Sequence, residues 1–261
     1  MLNTLEYGQD QTGHPPLIIA HGLFGSGRNW GVIAKRLADS RHVITPDMRN
    51  HGQSPREASQ GYPDMAEDLA EIARGHDTPV DVCGHSMGGK AAMAMALLHP
   101  GLVRRLIVAD IAPVAYTHTQ QGMIDAMRTV DLASLTRRSD ASDQLAAAGI
   151  EPALQSFFTQ SLDVPGKAWR LNLDVLEAEM DKIIGWPADL TGRFDGPTLF
   201  LSGGASDYVR PEHRDHIKQL FPAARFAKIP GAGHWLHADN PRAFEATLRT
   251  FLDAEKELPN S

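Results

Sequence analysis

The chain has 261 residues, a hydrophobic fraction of 42% and a formal net charge of −7. That apolar content excludes wholesale disorder, and the length suits one large domain or a core with a modest insertion. The acidic balance argues against nucleic acid as the main partner, because phosphate binding needs concentrated Lys and Arg.

The stretch from Met1 to His14 is polar and lacks the apolar centre of a secretory signal. No apolar run is long enough to span a membrane. The single cysteine, Cys83, excludes an internal disulfide and is compatible with a reducing compartment. The expected location is therefore cytoplasmic.

Pro16-Leu17-Ile18-Ile19-Ala20 is a short apolar run that ends at His21-Gly22, the pattern of a buried parallel strand feeding a tight loop. Asn29 to Leu37 has helical spacing, and His42 to Asp47 predicts the next strand. The loop from Met48 to Pro55 is turn-rich around Asn50-His51-Gly52. Tyr62 to Arg74 sets Met65, Leu69 and Ile72 at helical intervals. Pro79 to Cys83 predicts a strand, Gly84 to Gly89 a sharp turn, and Lys90 to Leu98 a helix stopped by Pro100. Leu102 to Ile111 contains a further strand.

From Val114 to Trp186 strand signals vanish, and short helices with polar breaks are expected. This segment, 114–186, is read as a helical cap inserted into a core made of 1–113 and 187–261. The alternation resumes with a strand at Pro197 to Leu201, a helix at Pro211 to Phe221, a strand at Arg225 to Ile229 and a helix at Pro241 to Leu252. Strands alternating with helices predict an α/β fold with a mostly parallel central sheet covered on both faces. Functional groups in such sheets sit beyond the carboxyl ends of the strands.

Gly84-His85-Ser86-Met87-Gly88 is a G-x-S-x-G pattern with a strand before it and a helix after it. In that context Ser86 is a candidate nucleophile, held at the tip of a strained turn where only glycines fit beside it. Of the twelve histidines, His234 in Gly231-Ala232-Gly233-His234-Trp235 follows the last predicted strand and is the candidate base. His237 is its local competitor. His21, His51 and His85 also lie on strand-end loops and are read as loop-shaping groups.

Two aspartates compete to orient His234. Asp110 ends the strand before the cap, and Asp207 follows the penultimate strand. Backbone N–H groups of Leu23 and Met87 are the candidate oxyanion donors, with Phe24 as the alternative to Leu23.

Five segments carry a family resemblance: His21-Gly22-Leu23-Phe24-Gly25-Ser26, Asp47 to Ser54, Gly84 to Lys90, Asp110-Ile111-Ala112-Pro113, and Gly231 to Trp235. Together the chain resembles the esterase branch of the α/β-hydrolase superfamily that includes the bacterial YbfF-type esterases and abhydrolase-domain protein 11. Arg49-Asn50-His51-Gly52 and Lys90 are the more specific marks of that branch. The resemblance implies hydrolysis of simple acyl esters or thioesters under a small helical cap. In the branch the acid corresponds to Asp110; in the wider superfamily it lies where Asp207 lies. This chain has both.

The leading expectation is a serine carboxylic-ester hydrolase acting through an acyl-enzyme on a small-molecule ester or thioester, with no cofactor and no metal. C–C bond hydrolysis or perhydrolysis on the same groups is the alternative, and a non-catalytic ligand sensor is the alternative of another class. Phe157, Phe158, Met123, Met127 and Trp169 are the cap residues expected to shape an acyl pocket, although ordinary packing of cap helices is the simpler role for any one of them. Arg49-Asn50-His51 is expected to be a structural turn.

Overall fold

A computed structural model describes residues 1–9 and 13–254. The strands are β1 (Thr4–Tyr7), β2 (Leu17–Ala20), β3 (Val43–Pro46), β4 (Val80–His85), β5 (Val103–Ala109), β6 (Leu162–Asp163), β7 (Ala168–Trp169), β8 (Thr198–Gly203) and β9 (Ala224–Ile229). The helices are α1 (Gly31–Leu37), α2 (Tyr62–Ala73), α3 (Met87–Leu98), α4 (Gln121–Arg128), α5 (Arg138–Ala147), α6 (Pro152–Thr159), α7 (Leu173–Ala178), α8 (Met180–Ile184), α9 (Arg214–Leu220), α10 (Leu236–Asp239) and α11 (Pro241–Leu252).

Seven strands form one sheet in the order β1-β3-β2-β4-β5-β8-β9. All its pairings are parallel except β1 with β3. The central strands are apolar on both sides because helices cover both faces. Successive side chains of β2 alternate: Ile18 and Ala20 join the core beneath α2 and α3, and Leu17 and Ile19 join the core beneath α1 and α11. Phe244, Leu248 and Leu252 recur every four residues on α11 and all face the sheet. Between β5 and β8 the chain leaves the sheet and builds α4 to α8. No helix among the described residues is long and apolar enough to cross a membrane.

Three local expectations need correction. The N-terminal stretch contains β1, an antiparallel edge strand whose alternation, Thr4-Leu5-Glu6-Tyr7, spans only four residues. The Gly84–Gly89 turn is far tighter than expected, because β4 runs to His85 and α3 starts at Met87. The inserted segment carries a small hairpin, β6 with β7, whose two-residue strands are too short to leave a periodic signal. The helices expected at Asn29 and Pro211 both open with a turn of 3₁₀ helix.

Beneath the sheet, at the amino end of β4, Asp81 accepts from Arg104 at 2.8 Å and pairs with Arg41 at 3.3 Å. The Arg41 and Asp81 side chains are both fully buried. Arg105 turns to the end of α11 and donates to Leu252 O at 2.6 Å. This polar knot ties β4, β5 and α11 together on the side of the sheet away from Ser86.

At the opposite, carboxyl end, histidines shape the loops. His21 Nδ1–H donates to Gly22 O at 2.8 Å, and its Nε2 accepts from Met48 N–H at 2.9 Å. His51 Nδ1–H donates to Arg49 O at 2.8 Å, and its Nε2 accepts from Phe24 N–H at 3.2 Å. A ring that donates at one nitrogen and accepts at the other is neutral. Burial keeps both that way: it lowers the pKa of His21 and pushes that of His51 down to about 3. His85, buried, is also held well below the usual value and donates from Nε2 to His234 O at 2.8 Å. His237, pushed down to about 3 by burial, stacks on Trp30 at 4.1 Å.

Asn50 completes the adjoining turn with φ 64°. Its amide donates to Gln60 Oε1 at 2.8 Å and accepts from Asn172 Nδ2 at 2.9 Å, tying the turn to the inserted segment. Arg49 grips Asp68 through Nε at 2.6 Å and Nη2 at 2.9 Å. The Arg49-Asn50-His51 stretch is thus a structural turn, as expected.

Two predictions follow from these polar anchors. Asp81→Ala removes the fully buried carboxylate from the knot and leaves Arg41 only the part-exposed Asp253; it should cost about 3 kcal/mol in a urea melt while leaving the chemistry at Ser86 intact. The buried neutral histidines refuse protons that the unfolded chain accepts below about pH 6.5. Stability is therefore lost as pH falls from there toward 3, by up to about 1.4 kcal/mol per pH unit for each ring. Thermal unfolding should show Tm declining between pH 7 and pH 5; a flat Tm contradicts this account.

Candidate active site

Ser86 alone makes the turn between β4 and α3, at φ 52° and ψ −119°. A non-glycine residue in that region is strained and is held only by its surroundings. The surroundings are close-packed backbone. A Cβ on Gly84 would lie 2.2 Å from Gly88 O, and a Cβ on Gly88 would lie 2.4 Å from Ala20 O. Ser86 N–H is fixed to Ala109 O at 3.1 Å. The serine is partly exposed and lines a cavity of about 240 Å³ beyond the strand ends.

Leu23 and Met87 line the same cavity. Among the described residues neither of their N–H groups has an acceptor. Met87 opens α3, where the first N–H groups have no partner within the helix. Phe24 is not an equivalent donor, because its N–H is already bonded to His51 Nε2.

His234 Nδ1 lies 2.8 Å from Asp110 Oδ2. A carboxylate only accepts, so the proton sits on Nδ1 and leaves Nε2 as the free acceptor. Asp110 is fully buried at the end of β5, with φ 53°, and its N–H bonds Leu201 O at 2.9 Å. Two more donors converge on its carboxylate: Ser206 Oγ at 2.5 Å and Gly203 N–H at 3.0 Å. Asp207 is elsewhere. Its side chain is 82% exposed and pairs with Arg210 at 3.4 Å. The geometry thus brings Asp110 to His234 and leaves Asp207 in solvent.

Tyr208 stacks on the His234 ring, with centroids 4.0 Å apart and planes 19° from parallel. Its hydroxyl lies 2.9 Å from His118 Nε2, at the start of the inserted segment. Sequence reasoning missed Ser206 and Tyr208. Their signal is their place in the loop after β8, beside Asp207, where the chain supplies a hydroxyl and a ring.

Phe157, Phe158 and Met123 line the cavity. Met127 and Trp169 do not. Both are buried inside the insertion, where Trp169 Nε1–H donates to Met127 O at 3.1 Å. No Asp or Glu is among the residues lining the cavity, and among the described residues no cluster of three or more His, Cys, Asp or Glu side chains could hold a metal.

Comparisons with known proteins place the chain in a family. A family profile described as alpha/beta hydrolase fold matches residues 15–241. The chain is 40% identical to sn-1-specific diacylglycerol lipase ABHD11 of Mus musculus over 91% of this chain and 81% of that one. It is 38% identical to esterase YbfF of Escherichia coli, over 94% of this chain and 96% of that one. A solved structure described as a marine microorganism esterase superposes with a TM-score of 0.90 at 36% identity, covering 96% of this chain and 98% of the other. The chain belongs to the α/β-hydrolase family.

Proposed function

We propose that Ser86, His234 and Asp110 act as nucleophile, base and orienting acid, and that the Leu23 and Met87 N–H groups hold the oxyanion. The protein is a serine ester hydrolase of the carboxylesterase type. The observation that carries the residue roles is the 2.8 Å Asp110–His234 contact, which leaves Nε2 of His234 free within the cavity that exposes Ser86.

The chemistry runs in two halves. Ser86 Oγ attacks the acyl carbon while His234 Nε2 takes its proton, and the carbonyl oxygen gains the negative charge that the two N–H groups receive. Each such donor contributes about 3 kcal/mol of transition-state stabilisation in comparable sites. The C–O bond breaks, and the proton passes from His234 to the departing alcohol. Water then repeats the attack on the acyl-enzyme, with His234 as base, and releases the acid. The same steps cleave a thioester.

Residues 114–186 serve as the cap over a core of 1–113 and 187–261. The apolar walls at Phe157, Phe158 and Met123 support a small to medium acyl chain as the bound group. The names of the relatives favour ester cleavage over C–C hydrolysis or perhydrolysis, and the presence of every required group argues against a non-catalytic sensor.

A fluorophosphonate probe should label wild type and not Ser86→Ala, and wild type should cleave p-nitrophenyl butyrate. No labelling and no turnover by wild type would sink the reading. Asp110→Asn should lower kcat about 10⁴-fold, the loss expected when the imidazole is held in the wrong tautomer. Asp207→Asn should stay within about twofold of wild type, as expected for a solvent-exposed carboxylate. A larger loss for Asp207→Asn reverses the assignment.

A further inference from the structure

Lys90 lies one turn beyond Ser86 on α3, and its N–H bonds Ser86 O at 3.0 Å. Its side chain is almost completely buried. Nζ donates to Ile184 O at 2.9 Å and to Gly185 O at 2.5 Å. It also sits over two aromatic faces, Tyr116 at 4.8 Å and Tyr62 at 5.6 Å from the ring centroids. No carboxylate appears among these partners. Burial alone pushes its pKa down to about 7.

Those partners share one location. Tyr116 is on the segment leaving the core after β5, and Ile184-Gly185 is on the segment returning to it. The two segments meet, because Tyr116 N–H bonds Ile184 O at 3.0 Å. Tyr62 OH, from α2, donates to the adjacent Ile183 O. Tyr116 OH continues to Tyr208 O at 2.8 Å, and the Tyr208 ring lies on His234. The neck of the insertion is thus a single crossing, held from below by the Lys90 amine and the Tyr62 hydroxyl. Tyr116, Ile183 and Ile184 are also cavity wall.

We propose that Lys90 is a positioning residue that clamps the neck of the insertion to the nucleophile helix and so sets how firmly the cavity holds an acyl chain. The inference rests on the esterase reading and goes beyond it. Two carbonyls accept from one amine that two ring faces cover, and such bonds are stronger in a dry site than in water. Loosening them lets the cap-side wall shift. A long acyl chain that spans this wall loses contact. A short one, held near Ser86, does not.

The test compares p-nitrophenyl acetate with p-nitrophenyl octanoate, with fluorophosphonate labelling of Ser86 as the check on the elbow. Lys90→Met should raise KM for octanoate about tenfold, while KM for acetate and kcat for both esters change about threefold at most. Lys90→Arg keeps a cation that can donate to carbonyls and stack on rings, and should return the octanoate KM to within about threefold of wild type. Parallel changes for both esters, or none, overturn the clamp. Should Lys90→Met fail to label, Lys90→Gln decides: it keeps a shorter, uncharged donor beneath the crossing and should raise KM for octanoate about threefold, with KM for acetate changed about twofold at most. Equal effects on both esters in that variant overturn the clamp as well. A wild type that neither labels nor turns over strikes the esterase reading itself, whereas active wild type with chain-length-blind variants strikes the clamp alone.

Discussion

The site depends on one close approach. The first turn of α3 lies so near the end of β2 that a Cβ on Gly88 would fall 2.4 Å from Ala20 O and 2.5 Å from His21 O. That contact leaves no room for a side chain and holds Ser86 at its positive φ. It also places the loop after β2 against the start of α3. The unpartnered N–H groups of Leu23 and Met87 come from those two elements. A hydroxyl at a strained tip and two donors beside it thus follow from one packing constraint, and none of them depends on the chemistry of its own side chain beyond the serine oxygen.

A constraint of that kind needs rigid flanks, and buried neutral imidazoles supply them. His21 joins the β2 loop to Met48, and His51 joins the same loop back through Phe24 N–H. The two rings meet edge to face at 5.1 Å. His85 reaches across from the elbow to the backbone of His234. His21 and His51 each work because the ring both donates and accepts, which a cation cannot do. Histidine abundance at the carboxyl ends of the strands therefore marks a scaffold around His234, the one cavity-lining imidazole among the described residues with a carboxylate partner.

Much of this was legible in the chain. The apolar runs at Leu17, Val80, Leu106 and Leu199 are buried on both faces, so they stand out as continuous blocks and locate the central strands. Gly84, Ser86 and Gly88 declare the elbow because its sterics admit so few residues. What stayed hidden has equally physical causes. β1 is a half-buried edge strand whose pairing partner lies about forty residues away, and the hairpin of β6 and β7 is too short to show a period. Met127 and Trp169 differ from Phe157 and Phe158 only in which way they face, and apolar composition carries no direction. Hydrogen-bond partners such as Ser206 depend on loop geometry that no spacing rule encodes.

The two aspartates illustrate that last point. β5 and β8 are neighbours in the sheet, with Ala109 opposite Leu201, so a carboxylate at either strand end starts within reach of the same imidazole. The chain brings Asp110 inward through a residue at φ 53° whose N–H is anchored to Leu201 O. The loop after β8 then serves that carboxylate without contributing one: Gly203 N–H and Ser206 Oγ both donate to it, and Tyr208 covers the ring it holds. A second inward carboxylate would meet the first at close range, and like charges in a buried site raise each other's protonation cost. Asp207 points to solvent and pairs with Arg210, an arrangement that keeps one negative charge beside His234 rather than two.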